Sequence, residues 1–411
     1  MNASSPVLTA NLSYRFIGSF IAMTIFAGLG VGVARILTSL YAVQLNATEL
    51  QIGLISAAQS VGILIMALPM GVLVQRWGAL KVFSLGSVMG ALFFSLMPLY
   101  ANAWYVLLMM TLVSFILPMR FLSINTVFLS HLRQLGPTKA GWFRGAHMMG
   151  FFLIAPMVTL FFMEHWGYAG SYWWVAALFL VACAFAPLCF QTQQLDKKAR
   201  FSRHEILAPL RLIQQHKALR MVCSLELLSS IANHYFAFFI VVIAIQVFAL
   251  SEAVAVGLLT TQGIVFVASL FSLGGLAEWL GYQRFYCIGL VLMGLSMLIL
   301  ALSSNVWLLW PAVVAFGLGL GMLHIANFMS FAKVGEQTKM AQVSPILAIV
   351  APIGGLLAGL FGAAFGGYVG LQILFLPLAL MFAGLLYVVY RNQQFSQFLA
   401  VDPVVQPLAK G

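Results

Sequence analysis

Charge is scarce in this 411-residue sequence: Asp, Glu, Lys and Arg make up 7% of it, against roughly 25% in a water-soluble protein. So little charge cannot clothe a solvated surface, and the 63% of hydrophobic residues must face something other than water. Acid is scarcer than base, with 9 Asp and Glu against 20 Lys and Arg and a formal charge of +11. Cysteine is limited to Cys183, Cys189, Cys223 and Cys287, in or beside apolar runs and without a CxxC or Cys/His cluster. Neither a disulfide framework nor a zinc site is expected, and the four read as buried thiols. No Walker sequence, catalytic triad or metal cluster is visible, so an enzyme, a primary ATP-driven pump and a bound cofactor are not expected. The N-terminal stretch up to Arg15 lacks the basic, apolar, small-residue order of a cleaved signal, and the first apolar run reads as retained.

Long apolar runs are what the sequence has. They fall at about 16–43, 51–75, 82–101, 103–130, 143–163, 171–190, 220–249, 254–277, 285–303, 306–332, 341–366 and 368–390, the last two parted only by Gly366 and Gly367. At about 34 residues per span and turn the chain has room for about a dozen crossings. Runs of this length select helices over a barrel, because backbone in lipid must satisfy its own hydrogen bonds. An all-α polytopic membrane protein of twelve transmembrane helices follows, embedded in lipid. The basic balance then reports topology and not nucleic acid. With the N-terminus inside, 18 of the 20 cations lie in cytoplasmic connections, and outer loops carry only Glu49, Glu164 and Glu252. Both termini are placed in the cytoplasm, and the membrane is expected to be a bacterial inner membrane.

The longest connection divides the chain into a six-helix bundle over residues 1–190, a linker over 191–219 and a second bundle with a short tail over 220–411. In the linker Ser202-Arg203-His204-Glu205 is a capping-box pattern followed by Ile206, Leu207, Leu210 and Ile213 at helical spacing, which predicts an amphipathic helix on the membrane surface. The halves repeat. Gly53-Leu-Ile-Ser56 is matched by Gly257-Leu-Leu-Thr260. The stretch Gly71-Val-Leu-Val-Gln75-Arg76-Trp-Gly78-Ala-Leu-Lys81 is matched by Gly274-Gly-Leu-Ala-Glu278-Trp-Leu-Gly281-Tyr-Gln-Arg284, and Gly86 by Gly289. Ala155-Pro156 is echoed by Ala351-Pro352. Glycines in the two loops are expected to let neighbouring helices turn tightly and approach closely. Gly28, Gly30 and Gly32, like Gly317, Gly319 and Gly321, read as close-packing surfaces and not as nucleotide loops.

Twelve spans in a six-plus-six repeat with a basic central loop resemble the major facilitator superfamily of secondary transporters, over the whole chain. The loop from Gly71 to Lys81 is similar to that family's G-x-x-x-D-R-x-G-[RK]-[RK] motif, with Gly71, Arg76, Gly78 and Lys81 in register. It departs at Gln75, where the family has Asp, and at Ala79 and Leu80. The resemblance implies two pseudo-symmetric bundles alternating access to a midplane site. It also implies a gate formed by Gly71, Gln75, Arg76, Gly78 and Lys81 together with Gly274, Glu278, Gly281 and Arg284. Gln75 cannot form the family's ion pair, so the gate is expected to lean on Glu278.

Ionisable residues inside spans are costly and are candidates for function. Here they are Arg35, Arg120, Glu226, His234 and His324, on spans one, four, seven and ten, which line the central cavity in that family. Asn233 continues the helical face of Glu226 and Ser230, and Asn327 lies three residues after His324. The expected substrate-binding set is Arg35, Arg120, Asn233, His234, His324 and Asn327. Two arginines with no acid in the first six spans point to an anionic solute, since guanidinium binds oxyanions in bidentate fashion. Glu226, His234 and His324 are the proton-coupling candidates, and Glu226 reads equally as a cytoplasmic gate residue facing Arg133 or Arg144. The function expected is proton-coupled secondary transport of a small organic anion by a monomer. A proton-driven multidrug exporter and a non-transporting receptor or scaffold of the same fold stay open.

Overall fold

A computed structural model of the chain describes residues 14–190, 211–338 and 340–400. Helices α1 (Tyr14–Gln44), α2 (Glu49–Trp77), α3 (Ala79–Leu96) and α4 (Ala103–Met148) are followed by a π-helical segment, Met149–Ile154, and α5 (Ala155–Cys189). Then come α6 (Lys217–Gln246), α7 (Glu252–Ser272), α8 (Gly274–Leu280), α9 (Tyr282–Leu302), α10 (Val306–Gln337), α11 (Met340–Val369), α12 (Phe375–Arg391) and α13 (Gln393–Leu399). No strand occurs among the described residues. Of the expected linker helix only residues 211–215 are described, and they are helical; the rest lies outside the described residues.

Ten helices among the described residues are long and apolar enough to cross a membrane. One of them, Ala146–Cys189, is broken at Gly167 (φ 60°, ψ −170°) and holds two crossings. Phe375–Arg391, at 17 residues, completes the twelve expected. The division between the last two crossings differs from expectation. Gly366 and Gly367 stay helical and α11 ends at Val369, because the turn is made by Gly370, whose φ of 81° suits a residue without a Cβ.

The repeat is written into the backbone. Every described residue with positive φ has a counterpart at an offset of 203: Asn46 (50°) with Ala249 (51°), Gly78 (85°) with Gly281 (79°), and Gly167 (60°) with Gly370 (81°). Helix starts keep the same register. Asn102 Oδ1 accepts from Trp104 N at 2.8 Å and Asn305 Oδ1 from Trp307 N at 2.9 Å. Thr48 Oγ1 accepts from Gln51 N at 3.3 Å, with Gln51 Oε1 accepting in return from Thr48 N at 3.0 Å, and Ser251 Oγ accepts from Val254 N at 3.4 Å. The Ala155-Pro156 and Ala351-Pro352 echo falls outside this register. Pro156 follows the π-helical segment, whereas Pro352 lies in the regular helix α11. Proline removes the N–H that would bond four residues back and crowds the carbonyl there, which is a cause of such local widening.

Packing divides the chain into two compact units. The first is Met1–Leu37, Pro69–Tyr100 and Phe115–Arg200; the second is Thr38–Leu68, Ala101–Ser114 and Phe201–Gly411. In the first, Phe83, Phe94, Tyr172 and Phe179 of α3 and α5 form a buried aromatic core. In the second, the core is the phenylalanine-rich face of α6, where Tyr235 stacks on Phe239 at 4.4 Å and Phe236 on Phe316 at 4.6 Å. The second unit thus gathers the last turns of α1, most of α2 and the first turns of α4 onto the C-terminal helices.

Candidate functional site

In the first unit α1 lies close to the π-helical segment. A Cβ on Gly32 would come within 2.6 Å of both Ala155 Cβ and Phe151 O, so only glycine admits this approach. That contact sets Arg35, one turn further along α1, beside the ring of Phe151, with its guanidinium carbon 5.9 Å from the centroid. Arg35 is half-buried, and no hydrogen-bond or ion-pair partner for it occurs among the described residues. It has donors to offer.

Arg120 is placed differently. It is 2% exposed, with its guanidinium carbon 3.7 Å from the Phe179 centroid and 5.5 Å from that of Phe83. None of its three guanidinium nitrogens has a hydrogen-bond partner among the described residues. The chemistry of this position is a cation held between aromatic faces of α3 and α5, a contact worth about 2 kcal/mol when desolvated.

The second unit collects the remaining candidates. Its tightest feature is a seam between α2 and α11, where Gly53 meets Ala363, Ala57 meets Gly359 and Ser60 meets Gly355; a Cβ on any of these three glycines would overlap its neighbour. The last turns of α1 join it through Ser39 Oγ, which donates to Phe238 O of α6 at 2.8 Å. His234 abuts the seam. Its Nδ1 is 2.8 Å from Ser230 O, and its Nε2 would lie 3.2 Å from a Cβ on Gly355. Asn233 Oδ1 and Gln59 Nε2 are buried without hydrogen-bond partners among the described residues, as are both amide atoms of Gln262 on α7.

Glu226 and Asn327, 101 residues apart, are brought together: Asn327 Nδ2 donates to Glu226 Oε2 at 2.7 Å. Tyr286 of α9 donates to Asn327 Oδ1 at 2.9 Å and lies 3.0 Å from Ser330 Oγ. Tyr286 and Ser330 escaped the sequence reading. Ser330 lies on the helical face of Asn327 and was within reach of it, but nothing local marks Tyr286. The ring of His324 sits edge-on to Phe266 at 5.8 Å. Arg133 and Arg144, the gate partners considered for Glu226, lie outside the residues whose side chains are described.

The two matched loops keep one expectation and lose another. Gly78 and Gly281 make the tight turns between helices. Gly71 and Gly274 do not provide close packing, since a Cβ on either would meet nothing within 4 Å; close approach falls instead to Gly86, opposite Met119, and Gly289, opposite Leu323. Gln75, Arg76, Lys81, Glu278 and Arg284 are exposed, which suits charges at the ends of membrane helices. Among the described residues no group of metal-binding side chains occurs, and Cys183, Cys189, Cys223 and Cys287 are free thiols.

Twelve crossings repeated at a fixed offset, with sparse polar groups inside otherwise apolar helices, define an integral membrane protein of the secondary-transporter class. The profile of the Major Facilitator Superfamily matches residues 16–259, more than half of the sequence, and the chain belongs to that superfamily. Among solved structures it is similar to the nucleoside transporter NupG, with a TM-score of 0.74 and 16% identity over 92% of this chain and 99% of that one. A point mutant of the same transporter gives 0.73 and 15% over 94% and 100%. At this identity the likeness concerns the fold. No curated protein sequence matches.

Proposed function

We propose that the chain carries a small organic anion across a bacterial inner membrane by proton-coupled alternating access, with both termini in the cytoplasm. The bundles of residues 1–190 and 220–411, joined by the linker 191–219, act as the moving bodies. The observation that carries the reading is Arg35: a guanidinium inside a span, half-buried, without a hydrogen-bond or ion-pair partner among the described residues and flanked by Phe151. A carboxylate or phosphate group of the solute supplies the missing acceptors, and an adjoining planar or apolar part rests on Phe151. Arg120 braces α3, α4 and α5 from within its aromatic enclosure. The α2–α11 seam closes the outer side when the solute site faces inward, since the α1–α2 connection at its end carries no Lys or Arg.

A second reading is favoured by the buried, unpaired amide atoms of Asn233, Gln59 and Gln262. Amides pair with the edges of heterocycles, and the likeness to a nucleoside transporter adds weight to an uncharged, hydrogen-bonding solute. One panel separates the two. Small carboxylates, phosphate esters and nucleosides are screened by the rise each causes in the unfolding temperature of the purified protein. An anion hit weakened about 10- to 100-fold by Arg35→Ala supports the first reading. A nucleoside hit indifferent to Arg35→Ala replaces it with the second.

A further inference from the structure

Glu226 sits inside the span Lys217–Gln246, half-buried, with no ion-pair partner among the described residues. Its partners are neutral groups in single file. Asn327 Nδ2 donates to it at 2.7 Å, Tyr286 OH donates to Asn327 Oδ1 at 2.9 Å, and Ser330 Oγ lies 3.0 Å from Tyr286 OH. Asn327, Tyr286 and Ser330 are all buried. The phenol has one proton and uses it on Asn327, so the Ser330 hydroxyl must donate to the phenol oxygen. Every proton in the file points toward the carboxylate, the arrangement an ionised Glu226 needs.

A proton placed on Oε2, the Glu226 oxygen that accepts from Asn327, sets its O–H against the Asn327 N–H, donor against donor. A half-turn of the Asn327 amide resolves the clash. Glu226 then donates to Oδ1, Nδ2 donates to the Tyr286 oxygen, and Tyr286 donates to Ser330. The same three hydrogen bonds survive with every direction reversed, so neither state leaves a buried polar atom unpaired or requires a cation. An amide at position 327 is what makes the exchange possible; a carboxylate or an aliphatic side chain there would fail in one state or both.

Among the described residues, Cys223, one turn back on α6, and Tyr286 lie close enough to Glu226 to feel its charge. On α10 the neighbours are Asn327 and Ser330, with His324 set against Phe266 and Lys333 donating to Ala400 O at 2.7 Å. Helix α7 carries only Glu252 at its first residue and α11 only Tyr368. Helix α12 carries Tyr387, Tyr390 and Arg391, the last donating to Tyr387 OH, and α13 carries no titratable residue. Helix α13 also covers the far end of the file: Phe395 is buried against Tyr286 at 5.9 Å, and Ser396 Oγ donates to Gln283 Oε1 at 2.5 Å. The proton therefore enters and leaves at Glu226 itself.

We infer that Glu226 is the proton-binding residue of this carrier and that Asn327, Tyr286 and Ser330 form a reversible hydrogen-bond file that lets it load and unload without a counter-ion among the described residues. This rests on the transporter reading and deepens it, choosing Glu226 over His234 and His324. The test needs no solute. The full chain in lipid nanodiscs is titrated with acid and base while carboxylic-acid C=O absorption is followed by infrared difference spectroscopy. Wild type is expected to show a titrating carboxyl band that Glu226→Gln removes. Asn327→Asp should move the titration upward by about one pH unit or more, because two adjacent carboxylates resist joint ionisation. Tyr286→Phe should shift the midpoint while the protein stays folded, which keeps the test decisive if Glu226→Gln does not express. A band that persists in Glu226→Gln, or a midpoint indifferent to both Asn327→Asp and Tyr286→Phe, overturns the inference. Solute-induced changes in unfolding temperature judge the carrier reading separately, so either can fail while the other stands.

Discussion

Arg35 and Arg120 have the same side chain and lie in spans of the same half, yet their surroundings assign them different work. Among the described residues, Arg35 has no hydrogen-bond or ion-pair partner and lies beside one ring, and Arg120 is enclosed by Phe83 and Phe179 with no hydrogen bond to offset its desolvation. Desolvating a charge costs several kcal/mol, more than the cation–π contacts return. Arg120→Met, of similar volume, is therefore expected to leave the unfolding free energy unchanged or raise it by about 1–4 kcal/mol, read as the unfolding temperature in detergent. Arg120→Ala is expected to lower it, because the cavity between two rings cannot collapse. A sharp loss of stability in Arg120→Met would show that the guanidinium has a stabilising partner and that its charge is not a net cost to the fold.

At the scale of elements, the α2–α11 seam is set by residue size. Gly53, Gly355 and Gly359 each stand where a Cβ would overlap the facing helix, so the two backbones touch. Gly359→Leu is expected to cost about 1–3 kcal/mol in the closed seam and shift the protein toward the state in which this end is open. Spin labels at Leu50 and Tyr368, exposed positions on α2 and α11, would read this as a lengthened distance in double electron–electron resonance. An unchanged distance with a merely less stable protein would argue that the seam does not move. The π-helical segment is the other departure from regularity, and only Pro156 hinted at it in the sequence.

Across the whole molecule, the cation distribution predicts an orientation that labelling can check. In a background without the native cysteines, Thr48→Cys should react with an impermeant maleimide in intact cells. Glu278→Cys, in the second of the matched loops, should react only after permeabilisation. Labelling in the opposite pattern would invert the topology and with it the reading of the α2–α11 seam as the outer closure. The 203-residue register is the whole-molecule feature most evident in both sequence and backbone. Its glycine turns at 78 and 281 were legible as motif, while the pairs Asn46/Ala249 and Gly167/Gly370 appear only as shared backbone angles, because a turn constrains conformation and tolerates different side chains.

Composition alone determined that the chain crosses a membrane many times as helices, since hydrophobic length and the need to satisfy backbone hydrogen bonds in lipid are local matters. The repeat and the family were legible for a similar reason: residues recurring at a fixed offset need no knowledge of contacts. What the sequence could not determine is which sparse polar groups meet. Glu226 and Asn327 lie 101 residues apart, and Tyr286 stands on a third helix. Their union depends on how α6, α9 and α10 are rotated about their own axes. That rotation is decided by packing along whole helix faces, where each apolar contact is weak and only the sum selects one arrangement. The same packing placed Arg120 between two rings and Arg35 beside one.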